Sequence, residues 1–227
     1  LLVARGVLLK TSHHYGDTLA LNANLSGAGS LSKSGAGTLS LSGANTYTGT
    51  TTVTGGMLTI GSDNHLGAGA VTLNGGTLNL QSSTGSRTVD NAVLLGASGG
   101  TVRVTSDAFT LSGVIGGTGA LAKTGTGDLT LSAANTYSGG TTLSGGTLQI
   151  SADGALGDAS GGLTFDGGTL AVTGTFESSR GIQIPPESSG LLRHWPIGTL
   201  IAKSCTSRIT LPLSVVTPAR NTGRPPN

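Results

Sequence analysis

GSLSKSGAGTLSLSGANTYTGTTTVTGGMLTIGSDNHLG, residues 29–67, returns as GALAKTGTGDLTLSAANTYSGGTTLSGGTLQISADGALG at residues 119–157. The two segments agree at about 22 of 39 positions. Self-similarity at a fixed offset, here about 90 residues, is the signature of a repeat architecture. The duplication therefore predicts that both segments build the same structural unit.

A shorter period lies inside the long one. The pattern Gly-Gly-x-apolar-x-apolar occurs as GGMLTI at 55–60, GGTLNL at 75–80, GGTVRV at 99–104, GGTLQI at 145–150 and GGTLAV at 167–172. Three of the four intervals between these copies are similar, and the interval from 99 to 145 is close to two periods. The spacing predicts a unit of about 22 residues, within the range typical of solenoid repeats. Four such units make up the duplication.

Apolar residues within each unit alternate with Thr and Ser, as in the pairs Leu58/Ile60, Leu78/Leu80 and Leu148/Ile150. Alternation at period two indicates a β-strand with one buried face, and Thr and Ser suit its solvated face. Gly, Asn, Asp and Ser between the strands favour turns. Since no stretch shows helical periodicity with caps, the sequence predicts an all-β fold.

Short strands that recur with this period favour a parallel β-helix (β-solenoid), in which each turn stacks on the last. A β-sandwich gives no reason for the same residues to recur at the same corner. A propeller blade needs about 40–45 residues, which is longer than the unit found here. Residues 17–190 would form roughly eight turns and, at the ~4.8 Å spacing of neighbouring strands, a rod on the order of 35–40 Å long.

Composition excludes several protein classes. The chain has 40 Gly and only 10% charged residues, without the Gly period of collagen, the heptads of a coiled coil or an apolar run of membrane-spanning length. Residues 1–190 hold seven Lys/Arg and all ten Asp/Glu, so the net charge of +2 comes from residues 191–227. Because the body has no Lys/Arg cluster, we predict no nucleic-acid partner.

Both ends depart from the repeat. Residues 1–16 predict an irregular N-terminal edge, and the chain looks like a fragment of something longer. All seven Pro lie within 185–227, and the tail at 191–227 also holds the one Cys, Cys205. The tail has no Gly-Gly corner, which leaves two interpretations: a linker or cap over the last turn, or a sequence artefact. Either predicts low order there.

The segments at 35–60 and 125–150 share the pattern G-x-G-x-L-x-L-S-x-x-N-T-Y-[ST]-G-x-T-T-[VL]-x-x-G-x-L-x-[IV]. In this they resemble the autotransporter-associated β-strand repeat, found in passenger domains of bacterial type V secretion. The resemblance covers roughly residues 17–190. It implies a right-handed parallel β-helix, a location on the bacterial cell surface, outer-membrane-anchored or secreted, and membrane contact only through a barrel domain absent from this chain.

Four residues of the repeat are candidates for a binding surface: Asn45, Asn135, Tyr47 and Tyr137. The Asn amides suit turn capping. The Tyr residues lie two positions further on, interpreted as outside the leucine register, so they would either pack at a corner or form an exposed row that binds sugars or proteins.

The remaining polar residues favour structural roles. His13 and His14 are adjacent in sequence and would point to opposite faces of a strand, which makes a poor metal site. Asp63 and Asp153 are interpreted as turn formers. The densest charged set comprises Arg87, Asp90, Arg103 and Asp107, with Arg103 and Asp107 as a possible surface pair. We therefore predict no catalytic residue, no metal and no cofactor.

Three functions remain open. The first is a mechanical stalk of an autotransporter passenger. The second is an adhesin surface that binds host or neighbouring bacterial cells through surface molecules. The third, an enzyme acting on polysaccharides, is disfavoured because the chain offers few charges from which to build a catalytic face.

Overall fold

The computed structural model describes residues 16–82, 85–174, 176–184, 191–194 and 200–202. Throughout these ranges the chain forms short strands joined by tight corners, and their pairings are parallel. The helical content described is two 3-10 turns, Asp63–His65 and Asp153–Leu156. The prediction of an all-β solenoid of about eight turns is confirmed.

The strands form three main sheets and one short pair. The nine-stranded sheet contains, in spatial order, β1 (Thr18–Leu21), β3 (Thr38–Leu41), β5 (Met57–Ile60), β7 (Thr77–Gln81), β10 (Gly100–Ser106), β13 (Leu121–Thr124), β15 (Thr141–Leu143), β17 (Leu163–Phe165) and β20 (Ile182–Gln183). The five-stranded sheet contains β2 (Leu31–Lys33), β4 (Thr51–Val53), β6 (Val71–Leu73), β9 (Val93–Leu95) and β12 (Ile115–Gly117). The six-stranded sheet contains β8 (Arg87–Val89), β11 (Ala108–Leu111), β14 (Asp128–Leu131), β16 (Thr147–Ile150), β18 (Thr169–Val172) and β21 (Leu191–His194). The short pair joins β19 (Phe176–Ser178) to β22 (Leu200–Ala202).

The core is a set of inward columns, one residue per turn. In the nine-stranded sheet Leu39 lies beside Leu58, Leu58 beside Leu78, and Leu78 beside Val102. All four are fully buried. A single turn cannot enclose these side chains, so stacking supplies the burial that stabilises each turn. The predicted shared column of Leu58 and Leu78 is confirmed.

The two copies of the repeat occupy different faces. Four steps along the nine-stranded sheet lead from Thr38 to Ala122. The repeat equivalent of Thr38 is Asp128, which follows Ala122 by one strand and lies in the six-stranded sheet. The duplication therefore spans four turns plus one strand, and the expectation of four whole turns is wrong. Equivalent residues of the two copies point in different directions around the solenoid.

Glycine at the corners is required by close backbone approach. Gly56 has φ +61°, and a Cβ at this position would collide with the carbonyl oxygens of Gly35 and Gly37 in the turn beneath. Gly146, its repeat equivalent, has φ +60° and would meet the carbonyl of Gly127. The second Gly of each of these two Gly-Gly pairs thus admits both the left-handed backbone and the contact between turns.

Strand pairing continues beyond the predicted boundary at residue 190. Leu191–His194 adds a strand beside β18, and Leu200–Ala202 adds one beside β19. The stack therefore extends into the region predicted to be a poorly ordered tail. The predictions for Cys205 and for His13 and His14 lie outside the described residues.

No helix in the described part of the chain is long and apolar enough to cross a membrane.

Candidate functional site

The tyrosines of the repeat are interior residues. Tyr47 and Tyr137 are both 0% exposed. The hydroxyl of Tyr47 lies 2.5 Å from Oγ1 of Thr51, and that of Tyr137 lies 2.7 Å from Oγ1 of Thr141. These side chains offer no surface to a ligand, and the two copies lie on different faces. The structure thus contradicts an exposed tyrosine row and supports corner packing.

The alternation of buried and exposed positions along the sequence, which we call parity, explains this burial. Buried positions continue at every second residue from Leu41 through Gly43 and Asn45 to Tyr47, although the segment after Leu41 is not assigned as a strand. An extended chain keeps its period of two whether or not it pairs in a ladder. Tyr47 therefore lies inside the leucine register, and its interpretation as outside that register is wrong.

The repeat asparagines join three successive turns. Oδ1 of Asn45 accepts a 2.7 Å hydrogen bond from the amide of Leu25, and its Nδ2 donates a 2.5 Å bond to the carbonyl of His65. Asn135 makes the equivalent bonds to Ile115 and Ala155, at 2.7 and 2.6 Å. Both side chains are 7% exposed. They satisfy backbone groups inside the corner, as capping amides do.

Two lysines point into the interior, where alternation of apolar residues alone offers no reason to place a charge. Lys33 and Lys123 are 0% exposed. The ammonium of Lys123 donates to the carbonyls of Gly127 (2.8 Å), Gly145 (3.0 Å), Thr124 (3.1 Å) and Gly125 (3.3 Å). Lys33 similarly binds corner carbonyls from its own turn and the next. Each lysine therefore ties two turns together at a glycine corner by charge-assisted hydrogen bonds.

Burial lowers the pKa of Lys123 to about 8 from its ordinary 10.5, opposed by the charge of Asp128. Because the folded pKa is the lower one, the unfolded chain binds more protons between these values, and stability rises with pH there. We expect the free energy of unfolding to increase from pH 7.5 to pH 9.5 by no more than about 3 kcal/mol. Urea unfolding measures this increase.

Lys123→Met provides the control for that titration, because it removes the ionisable group and keeps the unbranched stem. The wild-type increase over this pH range should exceed that of Lys123→Met. Equal slopes for the two proteins would contradict the assignment. The range stops below pH 10 because burial raises the pKa of Tyr137 to about 12, which reverses the trend at higher pH.

A buried ion pair holds the second 3-10 turn. Nε of Arg180 lies 2.8 Å from Oδ1 of Asp153, and Nη2 lies 2.9 Å from Oδ2. Burial alone would raise the pKa of Asp153, but hydrogen bonds from Arg180 and Ser178 outweigh it and leave the pKa below its usual value. Asp153 is thus both part of the corner, as predicted, and the partner of a guanidinium that sequence reasoning missed.

The first copy has a different arrangement at this corner. Asp63 accepts a 3.1 Å hydrogen bond from the amide of Asp90, which occupies the position equivalent to Arg180. Burial raises the pKa of Asp63, and the charge of Asp90 contributes in the same direction. Asn91 replaces the guanidinium as donor, with bonds of 2.8 and 2.9 Å to the carbonyls of Gly67 and Gly69.

The charged set singled out in the sequence does not form one cluster. Arg103 and Asp107 make no ion pair in the described part of the chain, whose one salt bridge joins Arg180 to Asp153. Asp107 instead accepts a 3.3 Å hydrogen bond from the amide of Gly85. Within the described ranges, no group of three or more His, Cys, Asp or Glu side chains is placed to hold a metal ion.

The outward face of the nine-stranded sheet is a ladder of small polar side chains. One column runs Thr38, Met57, Thr77, Thr101, Ala122, Thr142 and Thr164. The neighbouring column runs Ala20, Ser40, Thr59, Asn79, Arg103 and Thr124. We call this surface the hydroxyl face. Its columns continue over six or seven turns, which suits an extended ligand.

Two adjoining grooves cross this face. The first, which we call the bulge groove, has a volume of about 450 Å³. It is lined mainly by hydroxyl and amide side chains, among them Ser40, Thr59, Asn79, Gln81 and Thr105, and also by Arg103. The second, of about 660 Å³, shares Ser40, Thr59 and Gln81 with it and reaches His65 and Arg87. Burial lowers the pKa of His65, and the charge of Arg87 adds to this.

A β-bulge forms one border of the bulge groove. Val104 pairs with Leu80 and Ser106 with Gln81, so Thr105 is the extra residue. Asp107 follows with φ +56°, the one non-glycine residue with positive φ in the described chain. Bulges re-aim side chains and recur beside functional sites. The regular ladder is therefore interrupted at the groove.

Comparison with known protein families finds a repeat family that matches two segments of the chain. The model of the passenger-associated-transport-repeat family matches residues 31–60 and 121–150. Two segments of the chain are thus similar to the passenger-associated-transport repeat. Each repeat contains one of the buried lysines, one bridging asparagine and one interior tyrosine.

A curated relative supports the same assignment. The Adhesin BmaC autotransporter of Brucella suis biovar 1 (strain 1330) is 41% identical over 145 residues, which cover 62% of this chain. The match spans about 4% of that protein's length. No solved structure matches the chain. The family model and this relative agree on autotransporter passengers as the proteins that the chain resembles.

Proposed function

We propose that this chain is a rigid spacer segment in the passenger of a bacterial autotransporter. The observation that carries the proposal is the unbroken inward column of the nine-stranded sheet. From Leu39 to Phe165 every member is apolar except Lys123, whose ammonium donates to four carbonyls. A continuous core of this kind couples neighbouring turns along the whole length.

The dimensions suit a spacer. Nine strands at the ~4.8 Å spacing of a sheet give a length of about 38 Å. Each turn buries its own apolar residues against the next, so length is gained turn by turn without a new core. Buried lysines and asparagines join neighbouring turns at the corners, which stiffens the positions where a solenoid has fewest ladder hydrogen bonds.

Adhesion is a second candidate, favoured by the hydroxyl face. This surface is mostly polar and continuous over several turns, and it carries two grooves. The relative named above is called an adhesin. A surface of this kind would contact molecules on host or neighbouring bacterial cells, and that name is also consistent with a non-enzymatic role.

Deleting whole or partial turns tests the spacer proposal. Met57 and Thr77 lie side by side, so removing residues 58–77 deletes one complete turn and keeps the register. We expect this variant to unfold cooperatively and its longest dimension in X-ray scattering to fall by about 4.8 Å. Removing residues 58–67 deletes half a turn and should abolish cooperative unfolding.

A binding assay separates the two candidates. The labelled wild-type chain is titrated onto host cells and onto bacteria. A spacer predicts no saturable binding, whereas an adhesive surface predicts saturable binding.

If the whole-turn and half-turn deletions destroyed the fold equally, turns would not be the modular unit and the spacer proposal would fail.

A further inference from the structure

We propose that the bulge groove binds a segment of an acidic polysaccharide. Arg103 would contact a carboxylate or sulfate, while Asn79 and Thr105 accept hydrogen bonds from sugar hydroxyls. The inference deepens the adhesive candidate function and rests on it, because it names the ligand class that the hydroxyl face would take.

Charge at the groove selects an anion. Among the side chains that the structure describes, the exposed cations are Arg87 and Arg103, since Lys33, Lys123 and Arg180 are buried. Arg87 and Arg103 line the two adjoining grooves, and none of the residues that line either groove is Asp or Glu. A guanidinium presents donors in a planar fork that matches a carboxylate or sulfate group.

Two acceptors in the groove lack donors. Asn79 is 3% exposed, and its Nδ2 donates a 3.2 Å hydrogen bond to Oγ1 of Thr59. Oδ1 of Asn79 and Oγ1 of Thr105 are buried atoms with no hydrogen-bond partner in the described chain. Buried polar atoms are almost always paired in native proteins, so such exceptions call for an explanation. Both residues line the bulge groove, so a hydroxyl-rich ligand would supply the missing donors once the side chains that cover these two atoms shift.

The pairing of β10 with β7 brings these groups together. Arg103 lies beside Asn79 in one column, and Thr105 is the inserted residue two positions along the same strand. The strained backbone at Asp107 closes the bulge. In a regular ladder Thr105 would pair with Gln81, and Ser106 would lie one position further along. Arg103 and the two residues that carry the unpartnered acceptors thus line a single groove.

A polysaccharide fits this groove better than a folded protein. The lining is polar, with Met57 as its one long apolar side chain, and it has no aromatic residue that could anchor a protein partner. An extended glycan presents hydroxyl donors and anionic groups at regular intervals along a chain. It can therefore follow the columns of Thr, Ser and Asn across several turns.

Calorimetric titration of the full chain tests the proposal. The probes are polygalacturonate oligosaccharides, which carry carboxylates, heparin oligosaccharides, which carry sulfates as well, and neutral dextran. We expect saturable binding of at least one anionic probe at about 50 mM salt, weakened at about 200 mM because the contact is electrostatic. Dextran should bind at least tenfold more weakly. The two anionic probes distinguish carboxylate from sulfate recognition.

Arg103→Gln is the decisive variant. It should fold, since Arg103 is exposed, and should bind the anionic probe at least tenfold more weakly. Thr105→Val should also weaken binding, whereas Thr142→Ala, an outward position beyond the groove, should leave it unchanged.

Two results would overturn the groove assignment: no binding of either anionic probe, or binding that survives Arg103→Gln. The second result would locate the contact in another cationic region. Saturable cell binding that Arg103→Gln leaves intact would preserve the adhesive function while refuting the polysaccharide groove, so the two ideas fail separately.

Discussion

Leu148→Asp should abolish the folded state of the solenoid around β16. Leu148 is 0% exposed and lies between Leu129 and Leu170 in the inward column of the six-stranded sheet. A carboxylate there would lose its hydration without gaining a donor, and the apolar contacts of the leucine would also be lost. We expect a loss of at least about 5 kcal/mol, which exceeds most single substitutions.

Gln149→Asp is the matched control. Gln149 is the next residue on the same strand and is exposed, because alternate side chains point to opposite faces. Its substitution should change the free energy of unfolding by no more than about 0.5 kcal/mol. Denaturant unfolding of both variants measures the difference. Equal tolerance at the two positions would refute the inward assignment.

Arg180→Met should produce the second large effect. The guanidinium is 2% exposed and donates to both oxygens of Asp153 and to the carbonyls of Leu156, Gly157, Asp158 and Gly161. The substitution leaves a carboxylate and several carbonyls without their donor. Breaking a buried pair in this way costs about 3–5 kcal/mol, and the partial exposure of Asp153 places the expectation at the lower end.

Two further variants test the origin of that loss. Arg103→Met changes an exposed arginine and should alter stability by no more than about 0.5 kcal/mol. Adding Asp153→Asn to Arg180→Met should recover part of the lost stability, because it removes the uncompensated charge. Urea unfolding of the three variants is the measurement. A double variant no more stable than Arg180→Met would contradict a role for the ion pair.

The repeat and its alternation are sufficient to predict the architecture. Leu58, Leu78 and Leu148 are predicted to point inward because apolar residues alternate with Thr and Ser, and all three are buried. The Gly-Gly corners follow from the same pattern, and Gly56 shows the physical reason in its contact with the turn below. These features depend on local spacing, which a sequence displays directly.

The buried polar residues are harder to predict. Lys33 and Tyr47 both lie at alternate positions relative to the neighbouring leucines, so the sequence does indicate that they point inward. A charged residue is nevertheless not expected in the interior, and neither is a residue that follows the last leucine of a strand. Arg180 has the same parity as the buried residues Phe176 and Ser178, but its partner Asp153 lies 27 residues away and the first copy has Asp90 in its place. Parity alone would have found Lys33 and Tyr47.

The position of the bulge groove and the shift between faces depend on the lengths of several successive turns. Turns vary in length, because Thr38 pairs with the nearby Met57, whereas Thr77 pairs with the more distant Thr101. Four turns from Thr38 to Ala122 take 84 residues, whereas the repeat offset is 90, so the second repeat lies one strand further on, at the next face. The spacing of the Gly-Gly pairs shows the average period but not where each excess residue lies, so the bulge at Thr105 was not predictable.

Distances along one outward column test the solenoid most directly. Thr77, Thr142 and Thr164 share a column with Thr38, and spin labels can be attached at these positions after Cys205→Ser. At ~4.8 Å per turn, the backbone separations should be about 19 Å for 77/164, about 24 Å for 38/142 and about 29 Å for 38/164. Pulsed electron paramagnetic resonance should show distances that increase in this order by equal steps. Distances without that order would contradict the stacked parallel turns.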